Sequence, residues 1–218
     1  MAAAEGLARC REVTGRYYTS RLEAHGPTPL GVDWSCVPTQ ELRFVQLLKL
    51  RGAKRRFSLN DLGCGYGALL AYLDRRHGNC TIDYLGVDLS IAMIAEARKL
   101  WAQRPATRFE FGHASSREAD FSLASGIFNV RLDLPPDDWT GLIAATLNGL
   151  HATSRLGFAV NFLEPAPAGS TARPELYRTP SPTWAKYCEQ RFGSRVDVIS
   201  GYGMREYTLL VRRPSGNT

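Results

Sequence analysis

Asp61-Leu62-Gly63-Cys64-Gly65-Tyr66-Gly67 sets a carboxylate two residues ahead of glycines at alternate positions. The run before it, Phe57 to Leu62, reads as a short strand, and Ala68 to Arg76 reads as a helix ended by Gly78. Glycine lets the backbone turn tightly and pass close to a ligand. The helix that follows offers free N–H groups and a positive end. Dinucleotide enzymes seat a pyrophosphate on such a turn with G-x-G-x-x-G spacing. The spacing here is G-x-G-x-G, and Asp61 would repel a pyrophosphate while attracting an ammonium or sulfonium group. A second carboxylate, Asp88, closes Tyr84-Leu85-Gly86-Val87-Asp88-Leu89-Ser90. At the end of a second strand it stands where an adenosine ribose is gripped through its hydroxyls. Taken alone, Asp88 also reads as a helix N-cap. The two acids lie 27 residues apart, one strand–helix–strand unit.

These two motifs, with Met93-Ile94 after the second, resemble class I S-adenosylmethionine-dependent methyltransferases. The likeness covers roughly residues 55–163 in motif content and 57–213 in the order of strands and helices. It implies S-adenosylmethionine as cofactor and S-adenosylhomocysteine as product. Carried over residue by residue, it implies that Asp61, Gly63, Cys64 and Gly65 shape the pocket for the methionine part. Asp88 would bind the ribose, and Leu89 and Met93 would pack on the adenine. Family members often carry an acid after the third strand, facing the adenine amino group; here Phe111-Gly112-His113-Ala114 offers the His113 ring or the Ala114 N–H instead. Ser125-Gly126-Ile127-Phe128-Asn129 would end the fourth strand, facing the transferring methyl. Asp133-Leu134-Pro135-Pro136 is only superficially the motif of enzymes that methylate base amino groups, because it lies past that strand end.

Transfer from a sulfonium needs mainly an in-line arrangement of nucleophile, methyl and leaving sulfur, in a dry pocket. A phenol, hydroxyl or protonated amine also needs a general base. The candidates are His25, His113, His151 and Glu164, with Asn129 able to orient a nucleophile. His151, late in a helix, also reads as a partner for the helix dipole.

The elements that would position these groups alternate. Strands are expected at Ile82 to Val87, Arg108 to Phe111, Phe121 to Phe128 and Leu156 to Leu163. Helices are expected at Ile91 to Gln103, capped by Ser90, at Trp139 to His151 and at Pro182 to Phe192. Val196 to Tyr202 and Tyr207 to Arg213 read as a closing antiparallel hairpin. Glu164 to Pro182, with five prolines, reads as a long loop. The fold class expected is α/β: a three-layer Rossmann-like sandwich around a mostly parallel seven-stranded sheet, with a C-terminal antiparallel hairpin and an N-terminal helical cap. Residues 1–56 form the cap or lid, with a helix from Thr39 to Leu50, and 57–218 the cofactor-binding domain. Tyr17, Tyr18, Trp34, Gln40 and Arg43 are the lid residues expected over the pocket, Gln40 or Arg43 meeting the cofactor carboxylate. Phe128 would lie against the cofactor or fill core.

The 218 residues carry 27 Lys+Arg against 21 Asp+Glu, a net +6, with 44% hydrophobic residues. This composition excludes wholesale disorder, and no uninterrupted apolar stretch is long enough to span a membrane. Five cysteines without C-x-x-C spacing or nearby histidines fit free thiols and no metal. With no secretory run at the start, a cytoplasmic protein is expected. Residues 1–56 hold ten Lys/Arg and five Asp/Glu, so the excess sits there, ending in Arg51, Lys54, Arg55 and Arg56. The charge would then bear on what approaches the pocket, such as an acidic metabolite. The main expectation is a methyltransferase acting on a small molecule, at O or N, as a monomer or homodimer. A nucleic-acid methyltransferase using the basic segment, and a non-catalytic cofactor-binding protein, are the alternatives.

Overall fold

The computed structural model describes residues 2–171 and 173–214. Two helices open the chain, α1 (Ala2–His25) and α2 (Val37–Leu48), joined through a 3-10 turn at Pro29–Val32. Then follow β1 (Arg56–Leu62), α3 (Ala68–Arg76), β2 (Thr81–Asp88), α4 (Ile91–Leu100), β3 (Thr107–Phe111) and β4 (Ala119–Ala124). The chain continues through α5 (Pro136–Ala152), β5 (Ser154–Leu163), α6 (Ser181–Phe192), β6 (Arg195–Ile199) and β7 (Glu206–Arg212).

The strands form one seven-stranded sheet in the order β3-β2-β1-β4-β5-β7-β6. The first five are parallel, and β7 pairs antiparallel with both β5 and β6. Strands such as β1 and β4 are buried along most of their length, as a sheet covered on both faces requires. One core joins Leu85, Val87, Phe158 and Phe162 to Trp139 and Ile143 of α5 and Trp184 of α6. The other joins Leu59, Tyr84, Phe121 and Ala159 to Phe44 and Leu47 of α2, Leu70 and Leu73 of α3 and Ala97 of α4. Ser90 caps α4, accepting the Met93 N–H, as its position implies.

Three local readings need correction. The fourth strand stops at Ala124 rather than Phe128, because Gly126 takes φ +74° and its carbonyl accepts the Asn129 N–H, closing a turn. The helix after Ser90 ends at Leu100 rather than Gln103; Trp101 caps it and turns its indole N–H to the Tyr66 carbonyl at 3.1 Å. The strand expected to reach Tyr202 ends at Ile199.

Residues 1–56 are more deeply built in than their composition suggests. Helix α2 buries Phe44, Leu47 and Leu48 against the sheet. Helix α1 sets Leu7, Cys10 and Val13 into the core of α5 and α6. Its later turns meet the start of α4, where Thr19 Oγ1 lies 2.7 Å from Ser90 Oγ. The crossover from β3 to β4 contains no helix. It is braced by Arg117, which pairs with Asp83 at 2.6 Å and donates to the Leu59 carbonyl at 3.3 Å.

Candidate active site

A cleft enclosing about 1060 Å³, its open mouth included, lies at the C-terminal ends of β1, β2 and β4. Ligands of open α/β sheets bind in that position. Asp61, one residue from the end of β1, is 3% exposed and accepts the Tyr84 hydroxyl at 2.7 Å. Burial raises its pKa from 3.8 to about 7; the Tyr84 bond opposes the rise and the Asp88 charge adds to it. Beyond it, the Gly63 and Cys64 N–H groups both donate to the Val87 carbonyl, at 2.7 and 3.1 Å. Gly63 has φ +75°, and a Cβ there would sit 2.2 Å from Ile127 Cγ2, so only glycine fits this turn.

Asp88 ends β2 and ties the two loops together. Its Oδ2 accepts the Gly65 N–H at 2.8 Å, and its Oδ1 accepts the Ser90 N–H at 2.8 Å. Burial raises its pKa while these N–H bonds oppose the rise. Each carboxylate oxygen keeps a further lone pair for a ligand hydroxyl. At the end of β4, the Gly126 N–H donates to Asn161 Oδ1 at 2.8 Å. Ser125 Oγ is buried in the cleft wall with no partner among the described residues.

The structure thus gathers most of the expected cofactor residues around one space. Asp61, Gly63, Cys64 and Gly65 line it from the first loop, and Asp88, Leu89 and Met93 from the second. His113, Ser125, Gly126 and Phe128 line it from the loops after β3 and β4. Over it stand Tyr18, Trp34 and Gln40. Trp34 lies so close to Gly126 that a Cβ there would be 2.6 Å from its ring.

Seven expected residues do not line the cleft. Ala114 is exposed in the loop beyond His113. Tyr17 donates its hydroxyl to Asp33, and burial with that bond pushes its pKa up to about 12. Arg43 does not wait for a cofactor carboxylate: it is buried, paired with Glu206, and its guanidinium lies 3.2 Å above the Trp34 ring. His151 stacks on Phe192 with ring centres 4.3 Å apart, and His25 ends α1, its carbonyl bonded by Thr28. Neither histidine lines the cleft. Asn129 sits behind Gly126, its Nδ2 3.5 Å from where a Cβ there would be. Its Oδ1 is buried without a partner among the described residues. Of the other base candidates, Glu164 also lies outside the lining, and only His113 reaches it.

The sequence reading missed several walls: Arg11 and Thr14 of α1, Phe44 of α2, Tyr66 within the glycine turn, Ile127, and Leu142 and Thr146 of α5. Tyr66 stood in the motif itself. The α1 residues carried no motif, and only the fold brings them here.

Comparisons with known proteins point to one family. A family model described as a methyltransferase domain matches residues 60–150. "Putative methyltransferase Rv1506c" of Mycobacterium tuberculosis is 41% identical over 168 residues, 77% of this chain and 100% of that protein. Among solved structures, magnesium protoporphyrin IX methyltransferase from Synechocystis PCC 6803, with bound S-adenosylhomocysteine, superposes with a TM-score of 0.57 at 14% identity. That match covers 81% of this chain and 83% of the other. Human N-acetylserotonin methyltransferase, in complex with S-adenosylmethionine, gives a TM-score of 0.57 at 16% identity, covering 96% of this chain and 58% of the other. At such identities the likeness is one of fold.

Proposed function

This chain belongs to the class I S-adenosylmethionine-dependent methyltransferase family, and we propose that it transfers the methyl group of that cofactor to oxygen or nitrogen of a small molecule. The carrying observation is the pair of buried carboxylates, Asp61 and Asp88, at the tips of adjacent strands beneath a glycine turn. They favour a ligand that joins a cationic group to sugar hydroxyls. The residues present fit such a ligand: Ser125 Oγ is an unpaired buried hydroxyl in the wall, and each Asp88 oxygen, already accepting one N–H, keeps a lone pair for a sugar hydroxyl. When bound, the cofactor supplies a methyl already activated on a sulfonium.

The chain's own groups do the rest. Asp88 holds the ribose hydroxyls, and its bonds to Gly65 and Ser90 hold it rigid for that task. Asp61 faces the methionine end, its carboxylate oriented by Tyr84. Leu89 and Met93 offer apolar surface to the adenine, beside His113 at the rim. Trp34 and Tyr18 shield the cleft from water, which strengthens every charge interaction inside it. Asn129 lies behind Gly126 and off the cleft lining, its N–H bonded to the Gly126 carbonyl, so it braces that turn rather than touching an acceptor. In this reading the acceptor is a metabolite and the protein a cytoplasmic monomer or homodimer. Among the described residues no helix is long and apolar enough to cross a membrane.

The placement of the basic cluster disfavours nucleic acid as substrate and also the idea that this charge draws acidic metabolites to the pocket. Arg51 bonds back to the Lys54 carbonyl just before β1. The cleft lies at the other end of that strand, about 20 Å away at ~3.3 Å per residue over seven residues. The test is turnover. Incubation with S-adenosylmethionine and pools of phenols, alcohols and amines is expected to release S-adenosylhomocysteine with at least one pool. Cofactor binding without release from any pool would favour the non-catalytic alternative.

A further inference from the structure

Helix α1 lies where it can touch whatever fills the cleft, and its inner face is unusual. Gly6, Cys10, Thr14 and Gly15 are the buried positions. A Cβ on Gly15 would sit 2.7 Å from the Leu89 carbonyl oxygen, and one on Gly6 would sit 2.5 Å from an Asp138 oxygen. The Leu89 contact is with backbone, so the helix is drawn in tightly on the loop after β2; at its other end it meets a side chain of α5. Between those ends, Thr14 Oγ1 and Arg11 Nε are shut off from solvent, with no hydrogen-bond partner among the described residues. Thr14 is only 8% exposed. Both residues line the cleft, on the side that also holds Leu89, Gly112 and His113. Buried polar atoms are almost always paired, so two orphans on one helix face, both lining a cleft, point to a ligand that pairs them. The loop after β3 carries no carboxylate there, and His113 is exposed at the rim.

We propose that α1 completes the cofactor site: Thr14 Oγ1 and Arg11 Nε hydrogen-bond the adenosine end of the cofactor, so that binding it fastens α1 to the domain. The proposal rests on the cofactor assignment above. It gives α1 two tasks. The helix covers the sheet where the β3–β4 crossover has no helix, and it supplies the polar contacts that the loop after β3 lacks. Fastening has a physical basis, since a helix whose fully buried positions are small residues has little apolar area there to hold it. A ligand that pairs two of its orphaned groups stabilises the docked form by mass action.

Two measurements on the full chain test this. Calorimetry with S-adenosylhomocysteine is run on the wild type, Thr14→Val and Arg11→Met. Each variant is expected to bind about fivefold or more weakly, the effect of losing one buried hydrogen bond. Thr14→Val keeps the side-chain shape, and labelling of Cys188 without ligand reports whether the fold survives. The second measurement follows thiol labelling of Cys10 on α1 and Cys188 on α6, both fully buried, with mass spectrometry assigning the label. Saturating S-adenosylhomocysteine is expected to slow labelling of Cys10 at least threefold more than that of Cys188. Unchanged affinity in both variants, or equal protection of the two cysteines, overturns the proposal while leaving the cofactor assignment intact. A wild type that does not bind S-adenosylhomocysteine overturns both.

Discussion

Burial raises the pKa of Asp61 to about 7, so its charge changes close to neutral pH. A carboxyl whose folded pKa lies above its ordinary 3.8 binds more protons in the native than in the unfolded state between those values. Its contribution to stability therefore falls as pH rises from about 4 to about 7 and is flat above. Denaturant titrations should show this fall, and Asp61→Asn should remove it. A cationic ligand group beside Asp61 favours the carboxylate. S-adenosylhomocysteine should therefore bind more tightly at pH 8 than at pH 6 and release protons on binding. Calorimetry in buffers of different ionisation enthalpy measures that release; its absence would move the ammonium away from Asp61. These acids and the glycines between them were legible in the sequence, because their types and order carry the chemistry. Arg43 was misread for a related reason: a sequence cannot show that its charge is spent on Glu206, more than 160 residues away.

Among the elements, α3 was legible to the residue, from Ala68 to Arg76, because apolar periodicity and a flanking glycine turn mark both ends. Helix α1 was not, since Gly6, Cys10, Thr14 and Gly15 make its buried face and leave no apolar stripe to read. Fold context makes it a helix on the sheet. The segment between α1 and α2 depends on another buried contact. Arg43 of α2 pairs with Glu206 of β7 and lies over Trp34, which covers Gly126. Arg43→Met leaves Glu206 buried and unpaired, and should cost about 3–5 kcal/mol in denaturant unfolding. Adding Glu206→Gln should recover part of that loss; a single variant as stable as wild type would show the pair to be inert. Gly126→Ala meets both a left-handed φ and the Trp34 ring. It should cost about 1–3 kcal/mol and weaken cofactor binding, both read by thermal shift with and without S-adenosylhomocysteine.

For the whole molecule, strand–helix alternation was enough to anticipate a mostly parallel sheet of seven strands closed by an antiparallel hairpin. It was not enough to anticipate which way the net charge faces. The basic cluster before β1 stands at the end of the sheet away from the cleft. Neutralising Arg51, Lys54, Arg55 and Arg56 together should leave kcat/KM for a small acceptor, and its salt dependence, within about twofold of wild type. A large loss would restore a steering role to that surface. The central claim, that the two buried acids grip S-adenosylmethionine, is tested most directly by calorimetric titration of S-adenosylhomocysteine into wild type and Asp88→Ala. One site per chain is expected in the wild type, with affinity lost by about 10-fold or more in Asp88→Ala, since hydrogen bonds to a charged group are removed. No binding by the wild type, or equal binding by the two proteins, would contradict it.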